Sequence, residues 1–96
     1  NHYLGMVRQW QELFFDNRLS GVDLEGNPDF CKLAESYGIR AFRIRRAGDV
    51  DKMLKRALEY KDGPCVIHAE VIKEDNVFPM VPGGKGISEM ILAEDL

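Results

Sequence analysis

Apolar residues recur along this chain first at helical and later at strand spacing. Met6, Val7, Trp10, Leu13 and Phe14 stand at i, i+1, i+4, i+7 and i+8, which predicts an amphipathic helix over residues 4–15 closed by Asp16-Asn17. Gly5 near its start is a poor helix former, weaker than alanine by roughly 1 kcal/mol. It suits a frayed first turn or a place where something approaches the backbone closely. A polar stretch with two glycines, residues 20–27, reads as a loop. A second helix follows, with Asn27 as the expected N-cap, Pro28 at its first position and Asp29 at the positive end of its dipole. Phe30, Leu33, Ala34 and Tyr37 form its stripe and Gly38 its stop.

Residues 39–44 are rich in β-branched and aromatic side chains and read as a short strand. Val50, Met53, Leu54, Ala57 and Leu58 predict a third helix over residues 50–60, with Asp49 as its cap and Lys61-Asp62-Gly63-Pro64 as its stop. Residues 65–72 read as a second strand. Cys65, Ile67, Ala69 and Val71 lie on one face, and Val66 and Ile72 make the other apolar as well. Such a strand is covered on both sides. Strand, helix and strand joined by short loops imply a right-handed crossover and parallel strands. The order helix-helix-strand-helix-strand-tail therefore predicts an α/β fold. A sheet of two parallel strands is not stable alone, so the pattern fits the C-terminal part of a larger doubly wound parallel-sheet domain. Residues 77–96 would form an extended C-terminal tail. Its Phe78-Pro79-Met80-Val81-Pro82 segment is apolar, held open by proline, and needs a surface to cover.

Composition narrows the picture. The chain has 96 residues, 45% of them hydrophobic and 30% charged, with a net charge of −3, which is globular composition. No run approaches the ~18 apolar residues of a membrane span. Mild acidity argues against nucleic-acid binding, which rests on phosphate neutralisation. Cys31 and Cys65 read as packed thiols of a reducing compartment, since two cysteines make neither a disulfide framework nor a four-ligand zinc site. The chain opens on Asn1 without a preceding leader, which suggests a piece of something longer.

Few residues carry chemistry on their own. Arg40, Arg43, Arg45 and Arg46 could hold a phosphate, although a solvated strand end explains them more simply. His2 and His68 are too few for a metal signature, and His68 reads as a packed, hydrogen-bonded core histidine. Gly83-Gly84-Lys85-Gly86 lacks the spacing and the Ser/Thr of a phosphate loop. Trp10 belongs, by periodicity, to a packed helix face.

Longer stretches are more specific. Asn1-His2-Tyr3-Leu4-Gly5-Met6-Val7-Arg8-Gln9-Trp10-Gln11-Glu12-Leu13-Phe14 resembles the segment after the thiamine-diphosphate fingerprint of acetolactate synthase (acetohydroxyacid synthase) catalytic subunits. Asn27-Pro28-Asp29-Phe30, Gly63-Pro64-Cys65-Val66-Ile67-His68 and Phe78-Pro79-Met80-Val81-Pro82-Gly83-Gly84 resemble later segments of the same family, in the same order.

The resemblance implies the following. The side-chain oxygen of Asn1 and the backbone carbonyl of Tyr3 would bind Mg²⁺, a hard ion that takes oxygen ligands. Gly5 and Met6 would lie against thiamine diphosphate. Met6, Val7, Trp10 and Gly83 would line a substrate channel that is also a herbicide site, with the tail as its lid. The whole enzyme would join pyruvate to a second 2-ketoacid, pyruvate or 2-ketobutyrate, with loss of CO₂, in branched-chain amino acid biosynthesis. It would also carry FAD, at a site outside this chain. It would act as a homodimer or homotetramer of catalytic subunits with a small regulatory subunit, in the bacterial cytoplasm or in a plastid or mitochondrion. The glutamate that activates the cofactor comes from another domain of a partner subunit, and Glu12 does not replace it. No catalytic residue is expected in this chain, and 96 residues alone should be inactive. Two alternatives stay open: another thiamine-diphosphate enzyme, similar to pyruvate oxidase or glyoxylate carboligase, and a non-catalytic α/β assembly module.

Overall fold

A computed structural model describes residues 1–96. The chain divides into two compact units, one of Asn1 with Glu25–Lys73 and one of His2–Leu24 with Glu74–Leu96. No helix is long and apolar enough to cross a membrane.

The first unit is the α/β part. Helix α2 (Phe30–Ser36) leads to strand β1 (Arg40–Ile44), helix α3 (Val50–Glu59) and strand β2 (Cys65–Ala69). The strands pair in parallel, Arg40 opposite Cys65 through Ile44 opposite Ala69, as the strand-helix-strand order predicts. Alternation along β1 separates its faces. Phe42 and Ile44 are buried on the side of α3, whose Arg56 guanidinium lies 5.6 Å from the Phe42 ring. Arg43 and His68 share the opposite face with the start of α2, where Phe30 meets the His68 ring edge-on with centroids 5.5 Å apart. Both faces of β1 thus meet a helix, while Ile67 of β2 stays exposed. Cys31, Ala34 and Ala57 complete this small core, and both cysteines are free thiols.

Several local expectations are corrected. Helix α2 is capped by Asp29, not Asn27, since Asp29 Oδ1 accepts from the N–H groups of Cys31 at 3.0 Å and Lys32 at 3.2 Å. Asp29 wins because Arg43 also pairs with that oxygen and holds the carboxylate in place. Of the expected stripe of α2 only Ala34 is buried; Phe30, Leu33 and Tyr37 are exposed, and Cys31 is buried beside Ala34. Gly38 ends the helix as expected. At φ +72° it allows its own N–H to reach the Glu35 carbonyl and the Ile39 N–H to reach that of Ala34, a closure suited to glycine.

Asp49 precedes α3 without capping it; its carboxylate pairs instead with Arg46 at 3.5 Å. Strand β2 stops at Ala69, because Glu70 donates its N–H to Ile44 at the end of β1 and the partner strand goes no further. Val71 and Ile72 are consequently exposed. His68 is packed, but its buried Nδ1 has no hydrogen-bond partner, since the neighbour it meets is the Phe30 ring.

Three of the four grouped arginines, Arg43, Arg45 and Arg46, are ion-paired, and Arg40 lies beside the Phe42 ring. Arg43 joins Asp29 and Glu70, and Arg45 reaches Glu70 at 3.4 Å. The Lys32 and Cys31 amides and Arg43 hold the Asp29 carboxyl below its ordinary value of 3.8. Arg43 and then Arg45 hold Glu70 below 4.5.

The second unit contains helix α1 (Gly5–Phe14) and the tail. Asp16 and Asn17, both at φ +53°, end α1 where expected. Tyr3 and Asp23 form an antiparallel bridge whose ladder bonds run from Leu4 N–H to Val22 and from Leu24 N–H to His2. A second bridge joins Met80 to Ile91, so the tail folds back on itself rather than running extended throughout.

Because the folded-state values of Asp29 and Glu70 are lowered, their pairing stabilises the fold above the ordinary carboxylate range. That contribution is lost as pH falls through the lowered values, below about pH 4. Arg43→Leu is expected to flatten the acid limb of the unfolding profile, measured by thermal melts between neutral pH and pH 3; an unchanged limb would refute the assignment.

Candidate functional site

Helix α1 is turned inside out relative to its periodicity. Its buried residues are Arg8 and Gln9, while Met6, Val7 and Trp10 are 51%, 50% and 43% exposed and Phe14 is also exposed. The stripe expected to face a core faces outward instead. The reason lies in the polar side, where Gln9, 1% exposed, donates from Nε2 to the Val77 carbonyl at 2.8 Å and accepts the Val77 N–H on Oε1 at 2.8 Å. The same nitrogen reaches Met80 Sδ at 3.1 Å. Arg8 donates to the Glu74 carbonyl at 3.3 Å and to Asn76 Oδ1 at 3.2 Å, pairs with Glu12 at 3.3 Å, and lies 5.2 Å from the centre of the Tyr3 ring. A buried amide and guanidinium must keep such partners, or burial costs more than it returns. Satisfying them fixes the rotation of α1.

The outward stripe forms an apolar groove of about 430 Å³ lined by Met6, Val7, Trp10, Gln11 and Phe15. The Trp10 ring meets Phe14 edge-on, centroids 5.8 Å apart. Gly83 lies beside it, and a Cβ built there would stand 3.8 Å from the indole. The structure therefore brings four sequence-selected residues to one place: Met6, Val7 and Trp10 along the stripe, with Gly83 against Trp10. Glu12, paired with Arg8, holds a structural ion pair. Gly86 N–H is taken by the Glu89 carboxylate at 3.0 Å, which places an acid where a phosphate loop would hold an anion. That contact, with Lys85 at 3.0 Å, keeps the Glu89 carboxyl below its ordinary value.

Gly5 and Met6 open α1. No side chain caps this end, and its first turn holds no acidic residue, so no carboxylate of that turn opposes an anion near these amides. Asn1 offers an amide oxygen and Tyr3 a carbonyl, which are hard donors of the type Mg²⁺ takes. No group of three or more His, Cys, Asp or Glu side chains could hold a metal by itself. Between them His2 sits at φ +59°, a left-handed conformation that non-glycine residues adopt at a cost.

Apart from the family resemblance, the sequence gives Arg8 and Gln9 no structural role, because polar residues on a helix ordinarily face solvent. The available signal was backbone accounting: an apolar, proline-interrupted tail has N–H and C=O groups that must find partners.

Comparison with known proteins adds a family. Residues 1–69 match the family described as thiamine pyrophosphate enzyme, C-terminal TPP binding domain. The chain is 45% identical over 91 residues to the acetolactate synthase isozyme 2 large subunit of Escherichia coli (strain K12), covering 95% of this chain and 16% of that protein. It is 42% identical over 96 residues to the mitochondrial acetolactate synthase of Schizosaccharomyces pombe, covering 100% of this chain and 14% of the other. Against the mitochondrial acetolactate synthase catalytic subunit of Saccharomyces cerevisiae, identity is 43% over 91 residues, with shares of 95% and 13%. The chain thus spans 13% to 16% of the length of these relatives.

Two outcomes follow from the backbone here. His2→Val is expected to destabilise by ~1–2 kcal/mol, because a branched Cβ is disfavoured at positive φ, while His2→Gly stays near neutral; equilibrium denaturation of the two variants compares them. Gly83→Ala should shift stability by no more than about 0.5 kcal/mol, since its methyl makes an ordinary contact with Trp10. A large loss in a thermal melt would show that the tail lies closer to the indole than this geometry allows.

Proposed function

Since this chain belongs to the thiamine pyrophosphate enzyme family, in the part that forms the C-terminal TPP binding domain, we propose that it serves in an acetolactate synthase catalytic subunit. The observation that carries this reading is identity of 42% to 45% to acetolactate synthases across nearly the whole chain. The outward groove supports it, because a side-chain pocket for a small 2-ketoacid needs apolar walls with little charge.

In this reading the full enzyme takes pyruvate and a second 2-ketoacid and forms 2-acetolactate or its 2-ketobutyrate counterpart. Thiamine diphosphate, when bound, supplies the centre that stabilises carbanion character on the reacting carbon. This chain's residues bind and orient. The uncapped, acid-free start of α1 at Gly5 and Met6 tolerates a polyanionic cofactor, and the Asn1 side-chain oxygen and the Tyr3 carbonyl contribute two of the oxygen donors of Mg²⁺. Met6, Val7 and Trp10 hold the alkyl part of the second ketoacid against an apolar wall, with Gly83 beside Trp10 keeping room for it. Water exclusion falls to the tail. No side chain here is assigned to proton transfer. FAD binds outside this chain, and the active form is a homodimer or homotetramer with a small regulatory subunit. It works in the cytoplasm of a bacterium, or in a plastid or mitochondrion of a eukaryote.

The test is the full-length protein with thiamine diphosphate, Mg²⁺ and FAD, assayed for acetolactate from pyruvate and for competition by 2-ketobutyrate. Acetolactate formation with preference for 2-ketobutyrate as second substrate is expected. Acetyl phosphate or acetate as the main product would move the protein to the pyruvate oxidase-like group, and turnover of glyoxylate alone to the carboligase-like group. Trp10→Leu in the same enzyme is expected to weaken inhibition by herbicides of the acetolactate synthase class; unchanged inhibition would remove Trp10 from the channel.

A further inference from the structure

Gln9 does more in this structure than fill space. Its amide presents one acceptor and one donor side by side, and both go to the main chain of one residue, Val77, 68 positions away. That is the pairing a neighbouring strand would offer, supplied here by a side chain. Its nitrogen also reaches the sulfur of Met80, itself buried and paired through its backbone with Ile91. From Met80 the chain reaches Gly83, at the Trp10 ring, within three residues. Gln9 and Trp10 are successive on α1, so one anchors the tail and the other receives it. The tail's place against the Trp10 ring is therefore set by the length and hydrogen bonding of a single amide.

We propose that Gln9 is a positioning residue: by clamping the Val77 main chain it fixes where the tail lies on Trp10, and so fixes the depth of the apolar groove and the size of the acyl group it accepts. The clamp stands on contacts within this chain. Its effect on substrate choice rests on the acetolactate synthase reading.

The experiment uses the full-length enzyme with Gln9→Met, which keeps the length of the side chain but loses both main-chain hydrogen bonds, and Gln9→Glu, which keeps only an acceptor for the Val77 N–H. Hydrogen exchange of the peptide containing Val77, read by mass spectrometry, reports the clamp without reference to activity. The product ratio from mixed pyruvate and 2-ketobutyrate, with the KM of each, reports the groove, and the affinity for thiamine diphosphate serves as the control that a merely structural defect would move. Exchange at Val77 is expected to accelerate at least about tenfold in Gln9→Met, which loses two hydrogen bonds of ordinary strength, and less in Gln9→Glu. The product ratio should shift several-fold through KM, with cofactor affinity unchanged. Unaltered exchange at Val77 in a folded Gln9→Met enzyme overturns the clamp. If Gln9→Met does not fold, Gln9→Glu decides, and wild-type exchange and product ratio in that variant overturn the proposal. Accelerated exchange with an unaltered product ratio overturns the link to substrate choice. A wild-type enzyme that makes no acetolactate overturns the functional reading, while the exchange measurement still decides the clamp.

Discussion

A primary amide buried at Gln9 imposes the constraint on which the second unit depends. Such a group brings two donors and an acceptor into a place without water, and each unmet one costs on the order of 1–3 kcal/mol. The fold meets that demand with the main chain of Val77 and the sulfur of Met80. The consequences are geometric. Once the polar side of α1 is committed to the tail, its apolar stripe has nowhere to go but outward, and the groove follows. Arg8 adds to the commitment through the Glu74 carbonyl and Asn76. A helix that buries its glutamine and exposes its tryptophan inverts the usual preference, and such inversions mark surfaces meant to be covered or occupied.

The first unit obeys a simpler logic. Arg43 lies between two carboxylates, one from the cap of α2 and one from just beyond β2, so one cation ties the start of a helix to the end of a strand. That explains why a run of four arginines, which reads as a phosphate site when charge alone is counted, carries no such site here. Of the other three, Arg45 pairs with Glu70, Arg46 pairs with Asp49, and Arg40 lies beside the Phe42 ring.

Much of this was legible in the sequence, and what was not has a physical cause. The parallel strand pair, α3 and the Gly38 stop followed from local rules, because periodicity and the left-handed preference of glycine act over a few residues. The start of α2 was displaced because Asn27 and Asp29 both suit a cap, and only the distant Arg43 decides between them. Periodicity located the stripe of α1 but could not tell in from out, since the deciding partner is 68 residues away. His68 was read as hydrogen-bonded; its strand face is shared with Phe30, which offers a ring edge and no polar group. Of the site, Met6, Val7, Trp10 and Gly83 follow from family resemblance; the first three line one groove, and Gly83 lies against Trp10. Gln9 and Arg8 had no local signature at all.

The clamp at Val77 engages only its N–H and its C=O, and the Val77 side chain points away and is largely exposed. Recognition of that kind is blind to side-chain identity. Any residue except proline, which has no N–H, can occupy the position without loosening the hold. Position 77 is therefore free to drift in sequence, acquiring a different surface for a different neighbour, while its place on the helix is inherited unchanged.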